Sequence, residues 1–334
     1  MSVKDSLYDA ICRNDTGRAF LMARRSLKDE KALEEMKRGE HEFINRSKGS
    51  DKLCIILAGY KPTLWEDVFG RLAAFIPDGI DVCIMTSGLV NEELKGIAEK
   101  NDWSYLSTTV NHLSLVQNIT IEEHPKAKWI YKLDEDMFLT KGFFEAMLQT
   151  YTELEEHSLY KPAFVSPLIN VSCYGHLRLL EKLDLLDDFK ATGLTDVKFS
   201  DGLHHNRQVI SEPKVARYMW GESQPALRDI DALTERFSAE GFSYSICPVR
   251  YSIGAILFTR DAWEEFGHFP LTFVGGPYGL GDDEEHICHY ACFTGRVMVV
   301  NENVVVGHLG YGGAQTATMV EYHAAHRDQF RLKA

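Results

Sequence analysis

Few features of this sequence would place it in a special class. Its seven cysteines are odd in number, scattered along 334 residues and without a CxxC pair, which argues against a disulfide framework. Cys54 and Cys83 lie inside apolar runs, where free cysteine behaves as a small hydrophobe. No run approaches the ~20 apolar residues that a membrane-spanning helix needs. The first residues, MSVKDSLYDAICRND, contain neither an apolar signal region nor a small-residue cleavage site, so the expectation is a cytoplasmic protein with no membrane span. Positive charge is also short: 36 Lys and Arg against 49 Asp and Glu leave a formal charge of −13. That balance excludes a broad electrostatic grip on nucleic acid or anionic membrane and leaves room only for a local basic cleft. Internal repeats and low-complexity tracts are lacking. With 45% hydrophobic and 25% charged residues, the chain reads as one large or two ordinary globular domains with a substantial core.

Texture changes along the chain. Residues 1 to about 50 are rich in Lys, Arg, Glu and Leu, and SLKDEKALEEMKRGEHEFINR has helical propensity that SKGSD ends as a polar linker. A solvated helical appendage or an oligomer contact is expected there. KLCIILAGY and IDVCIMTSG then read as buried strands closing in small residues, with helical spacing in TLWEDVFGRLAAFI, NEELKGIAEKN and NHLSLVQNITIEEHP, and a short strand in WSYLSTT. Strands alternating with helices imply a largely parallel sheet, whose ligands bind at the carboxyl ends of the strands. Residues 150 to 250 break this rhythm. Regular structure returns with SIGAILFTRDAWEEFG, a Gly-rich loop FVGGPYGLGDDEEH, and strands RVMVVN and VVVGHLG.

WIYKLDEDMFLT climbs through apolar residues and breaks into Asp134, Glu135 and Asp136. Three carboxylates at a buried strand end repel one another and resist desolvation unless something offsets the charge. A Walker B strand would need a GxxxxGK[ST] phosphate loop elsewhere, and the chain has none. An aspartyl phosphatase pair would want a hydroxyl residue where Phe138 stands and a place on the first strand. A metal site fits better. Mg²⁺ or Mn²⁺ takes oxygen ligands from one or two carboxylates plus substrate phosphates, and a DxD at a strand end turns both Asp side chains to one side. A solvated acidic turn remains the bland alternative.

Five segments extend the pattern: IILAGYKP; NHLSLVQNITIEEHPKAKWIYKLDEDMFLTKGFF with Asn111 and Asn118; IGAILFTRDAWEEFGHFPLTF; GDDEEH; and VVVGHLG. In this order they resemble the GT-A glycosyltransferases, most closely the inverting family-2-like group, over about residues 52 to 310. The resemblance implies an α/β GT-A (Rossmann-like) fold, a mostly parallel sheet flanked by helices, with an irregular middle insertion and an N-terminal helical extension. Residues 1–50 would be the extension, 51–150 the nucleotide-sugar half, 151–250 the insertion on the acceptor side, and 251–334 the acceptor and catalytic half. It further implies transfer of a hexosyl or pentosyl group from a nucleoside diphosphate sugar, a UDP-sugar as first guess, to an acceptor hydroxyl with inversion. Mn²⁺ or Mg²⁺ would be held by Asp136, with Asp134 through water or the ribose and His308 as a further ligand. Ala58, Gly59, Tyr60, Lys61, Ser87, Asn118, Asp134 and Glu135 become candidate donor contacts. Asp283 takes the general-base position, with Asp282 as its competitor.

The chain departs from that family where the second strand ends in MTSG instead of an Asp, which leaves the nucleotide open. Only SPLINVSCYG matches within 150 to 250, so saccharide, protein side chain and modified nucleobase all stand as acceptors. Residues 1–50 lie outside the resemblance, and their helices are candidates for a homo-oligomer contact. A sugar nucleotidyltransferase would want a Gly-rich basic loop where LAGYKPT stands, and a silent binding module would not need Asp134, Asp136 and Asp283. His286, His289 and Cys292 share a helical face that could bind zinc, though no second ligand cluster accompanies them. Tyr218, Trp220, Tyr278 and Tyr311 are candidate sugar-stacking aromatics. Gly275, Gly276, Gly279 and Gly281 suit either a loop that closes over the donor or a static turn with several positive φ angles.

Overall fold

A computed structural model describes residues 11, 14–201, 204–272, 282–312 and 314–332. The Gly-rich loop with Gly275, Gly276, Gly279 and Gly281, and with it Tyr278, lies outside the described residues. Two compact units alternate along the chain. Met1–Tyr60, Asp78–Glu135 and Phe258–Tyr290 make the first, and Lys61–Pro77, Asp136–Leu257 and Ala291–Ala334 the second. The chain crosses from one to the other between Glu135 and Asp136, inside the acidic cluster.

The first unit holds β1 (His41–Ile44), β2 (Lys52–Leu57), β3 (Asp81–Ser87), β4 (Ser104–Thr108) and β5 (Trp129–Asp134), in the order β1-β4-β3-β2-β5. Strands β4, β3, β2 and β5 run parallel. Their interiors, Leu53 to Ile56 and Val82 to Met85, are buried throughout, the continuous apolar run of a sheet covered on both faces. Helices Glu92–Lys100 and Leu113–Glu122 bridge β3 to β4 and β4 to β5. The alternation expected for 52 to 134 is therefore present. Strand β1 was not expected, because EFINR reads as the tail of a helical and polar stretch. It forms because Phe43 and Ile44 lie antiparallel along the open edge of β4, opposite Leu106 and Tyr105. So short a run carries no period of its own, and the partner strand decides it.

In the second unit are β6 (Met137–Phe138), β7 (Pro162–Ile169), the short ladder of β8 (Ser200–Asp201) with β9 (His204–His205), β10 (Tyr244–Cys247) and β12 (Val297–His308). β11 (Ala255–Thr259) begins here, with Leu257 antiparallel to Val165 of β7. β12 runs parallel to β7 and antiparallel to β10 and β6. The two strands expected at RVMVVN and VVVGHLG are one strand of 12 residues. Its register shifts between Asn301 and Val305. The Asn301 side-chain oxygen accepts the N–H groups of Asn303 (2.9 Å) and Val304 (3.0 Å), so the polar residues between the two expected strands carry one strand through a bulge. Among the described residues no helix is long and apolar enough to cross a membrane.

One buried cation ties the second unit together. Arg71 on helix Trp65–Phe75 forks onto Asp231 at 2.9 and 2.8 Å, and donates to the carbonyls of Leu139 (2.9 Å) and Phe330 (2.7 Å). It is fully buried. Arg71→Met keeps the volume but orphans those acceptors. It should cost about 3–5 kcal/mol, the scale of breaking a buried ion pair, read as a lower urea midpoint with unchanged slope.

Candidate active site at the carboxyl end of strand β5

β5 ends where its alternating faces meet charge. Each carboxylate of the Asp134-Glu135-Asp136 run has a partner of its own. Glu135 accepts the backbone N–H of Gly59 at 2.9 Å and of Tyr60 at 2.9 and 3.2 Å. These charge-assisted bonds satisfy the amides of the loop that leaves β2 and fix its path. Gly59 sits there at φ +139, a region closed to most side chains. Ala58, buried, donates to Met85 O at 3.0 Å. Tyr60 lies beyond and is 56% exposed. Its hydroxyl donates to Ser87 O (3.0 Å) and accepts from Asn111 Nδ2 (2.8 Å). Tyr60, Ser87 and Asn111 thus meet at the carboxyl ends of parallel strands, the edge where such sheets bind ligands. Gly88, at φ +72, leaves room for Asn111, since a Cβ there would stand 2.4 Å from the Asn111 Cβ.

Behind β5 lies a chain of polar groups in the first unit. Lys132, two residues before Asp134 and on the same face of the strand, places its Nζ 2.8 Å from Asp134 Oδ1 and is itself buried. Burial works against the ammonium, but Asp134, Asp283 and Glu284 outweigh it and hold its pKa above that of free lysine. Asp283 opens helix Asp282–Thr294, accepts from Gln117 Nε2 at 3.0 Å and from Glu284 N at 2.9 Å, and is buried. Burial pushes its carboxyl above the ordinary carboxylate range, and Lys132 and Gln117 offset only part of that. Such a carboxylate holds a proton more readily than a solvated one, which suits a general base. The Asp282 side chain lies outside the described residues. Asn118, next to Gln117 on helix Leu113–Glu122, turns inward: it accepts from Trp263 Nε1 (3.2 Å) and Phe269 N (3.0 Å) and donates to Phe269 O (2.8 Å).

The second unit holds a constellation of its own. Asp136 is buried and receives the Lys61 ammonium, and His308 Nε2 stands 3.4 Å from the same Oδ2. Burial alone would raise this carboxyl. Lys61 and His308 overcome it and hold it far below the usual range, so Asp136 is an anion at any ordinary pH. His308 Nδ1 lies 2.7 Å from Val171 O, and its backbone N–H donates to Asn170 Oδ1 at 2.8 Å. The carbonyl can only accept, so Nδ1 donates to it, and this bond aims Nε2 at the Asp136 carboxylate. Gly307 lets Trp220 in: a Cβ there would meet the indole at 2.3 Å, and Trp220 Nε1 donates to His308 O at 2.9 Å.

A carboxylate oxygen and an imidazole Nε2 whose other nitrogen is held by a carbonyl form the donor set of an oriented metal ligand pair. Two donors 3.4 Å apart can share one ion at the ~2.1 Å distances of Mg²⁺-like sites. No group of three or more His, Cys, Asp or Glu at metal-binding spacing occurs among the described residues, so the metal reading rests on Asp136 and His308, with substrate oxygens completing the shell. Asp134 is engaged with Lys132. Of the zinc candidates, His286 has its Nε2 2.7 Å from Phe266 O. Of the aromatic candidates, Tyr218 is buried with its hydroxyl on Asp188 (2.6 Å), Trp220 is buried, and Tyr311 packs edge-on to His308 with centroids 5.1 Å apart. Sequence reading passed over Lys132 and Gln117. The lysine did leave a signal, a lone cation inside an apolar strand in register with Asp134. Gln117 left none.

No protein-family model matches the sequence, and no curated protein matches it. Solved structures similar to it include a mannosyltransferase, PcManGT from Pyrobaculum calidifontis, in complex with GDP-Man and Mn²⁺. It is 12% identical at a TM-score of 0.42, and the match covers 90% of this chain and 68% of that one. Another is a mycobacterial protein, 10% identical at a TM-score of 0.42, with 82% of this chain and 72% of that one covered.

The two buried aspartates should respond to neutralisation with opposite signs. Asp283 is raised in the folded state, so its ionised form destabilises the fold above its folded pKa and that cost fades as pH falls to the unfolded value near ~4. Asp283→Asn should therefore melt higher than the parent at pH 8, the difference closing towards pH ~4. Asp136 is depressed, so its stabilisation is full above the unfolded pKa and is lost only as pH falls through the folded one. Asp136→Asn should lose stability at neutral pH, towards the low end of ~3–5 kcal/mol because Lys61 is partly exposed. Thermal melts of both variants across a pH series in metal-free buffer check this.

Proposed function

We propose that the chain is a metal-dependent glycosyltransferase of GT-A type, which moves a sugar from a nucleoside diphosphate sugar to an acceptor hydroxyl with inversion. The observation that carries this reading is the Asp136–His308 pair: an obligate anion beside an imidazole whose Nδ1 is held by a carbonyl and whose Nε2 faces that anion, following a parallel strand in a chain without a phosphate loop. Asp136 and His308 would hold Mn²⁺ or Mg²⁺. The ion, when bound, supplies Lewis-acid neutralisation of the departing diphosphate.

The chain's own groups divide the remaining work. Lys61 brings an ammonium to Asp136 and is placed to share its charge with a phosphate. Tyr60 offers an exposed ring, fixed at its hydroxyl by Ser87 and Asn111, as a platform for the nucleotide. Lys132 keeps Asp134 compensated at the strand end. Asp283, buried and readily protonated, takes the proton of the acceptor hydroxyl as the oxygen attacks the anomeric carbon, which favours displacement from the face opposite the diphosphate. A UDP-sugar with Mn²⁺ is the first combination to test.

Thermal shift with UDP-, GDP-, CMP- and dTDP-sugars, each in Mn²⁺ and in EDTA, tests the reading. One nucleoside diphosphate sugar should stabilise the chain only with the metal, by ~2.7 kcal/mol at a hundred times its dissociation constant. Asp136→Asn should abolish that metal-dependent gain. Asp283→Asn should bind donor normally and lose ~10²–10⁴-fold in turnover to acceptor. Equal donor affinity in EDTA and Mn²⁺ would remove the metal from the scheme, and indifference to all four donors would remove the transferase.

A further inference from the structure

Helix Asp15–Arg38 precedes every element of the proposed catalytic fold, yet it does not dock as an amphipathic helix should. Its buried residues are Asp29, Ala32 and Glu35, two acids and one methyl group, while Phe20 (67%) and Leu27 (60%) stay exposed. Burial of a carboxylate is costly unless strong donors meet it. Here they do. The Glu35 carboxylate takes the backbone N–H of Thr109 at 2.6 Å and of Val110 at 2.7 Å, one on each oxygen. Asp29 Oδ1 lies 3.3 Å from His112 Nε2. At Gly39, φ +64, the helix closes and the chain turns into β1, which pairs with β4. The arm therefore grips both the edge of β4 and the four residues, 109 to 112, that follow it.

Those residues carry Asn111. Thr108 O accepts the Gly88 N–H at 3.0 Å, Asn111 fills the space over Gly88, and Asn111 Nδ2 holds the Tyr60 hydroxyl. The same loop leads into helix Leu113–Glu122, which carries Gln117 against Asp283. We propose that Glu35 is a positioning residue for the donor side of the site, and that the N-terminal helix acts as a clamp whose seating sets the place of Asn111 and Tyr60. This rests on the transferase reading for its effect on nucleotide binding, though not for the clamp itself. A nucleoside diphosphate is the ligand whose affinity the clamp controls.

The test uses the full chain with Glu35→Ala and Glu35→Gln, titrated calorimetrically with UDP and with GDP in MnCl₂, beside hydrogen exchange of the peptides covering 104–113, 82–90 and 57–62. Glu35→Ala should speed exchange at Thr109, Val110 and Gly88 and weaken nucleotide binding by about ten-fold or more, the worth of one charged hydrogen bond. Donor KM should rise, with kcat at saturating donor within about two-fold of the parent. Glu35→Gln should fall between, since its amide oxygen still accepts one N–H, and it carries the test if the alanine variant does not fold. Faster exchange confined to residues 109 and 110, or a lower melting temperature with unchanged nucleotide affinity, would make Glu35 merely structural and overturn the proposal. Should the parent bind neither nucleotide in Mn²⁺, the transferase reading is what fails. Exchange at Gly88 and Tyr60 then decides the clamp alone: acceleration there supports it, and none overturns it.

Discussion

Three consecutive carboxylates leave one buried strand end, and their mutual repulsion is the constraint around which the site is arranged. They cannot share one counter-charge, and they do not. Asp134 faces a buried ammonium on its own strand. Glu135 turns to the amides of the loop after β2. Asp136 meets Lys61, the residue that directly follows that loop's Tyr60, together with His308 at the end of β12. The loop after β2 is thus placed by one of the acids themselves. Neutralising any one of the three would leave a different set of partners unanswered, which makes the cluster a structural hub as much as a chemical one.

The same burial acts in opposite senses on the two aspartates with proposed roles. At Asp136 Lys61 and His308 outweigh desolvation and the group stays anionic, as the proposed metal-holding role requires. At Asp283 desolvation wins, because Lys132 is already engaged by Asp134 at 2.8 Å and Gln117 is neutral. Carboxyls pushed apart in this way are suited to different tasks, one to stabilise charge and the other to move a proton. That division follows from which neighbours each group meets and would not exist for the same residues in water.

The N-terminal arm shows how an appendage can be keyed by a buried carboxylate. A helix docked by apolar burial can slide by a turn at modest cost. A carboxylate whose two oxygens each take a backbone N–H has one position only.

Along-chain pattern alone determined the alternation of buried strands and helices between 52 and 134, the acidic break after β5, and the candidacy of Asp134 and Asp136; Asp283 and His308 became candidates through the family resemblance of the ordered segments. Apolar period and residue type are local quantities, readable in a window of a dozen residues. Tertiary structure decided who answers each charge. Glu135 reaches an amide 76 residues away and Gln117 a carboxylate 166 residues away. β1 exists because β4 offers an edge, and β12 is continuous because Asn301 carries it over a bulge. Hydrogen-bond partners and desolvation depend on which distant segments the topology brings together, and no periodicity in the chain encodes that. Lys132 stands between the two cases: its presence in an apolar strand was legible, but its pairing with Asp134 and its influence on Asp283 required the fold.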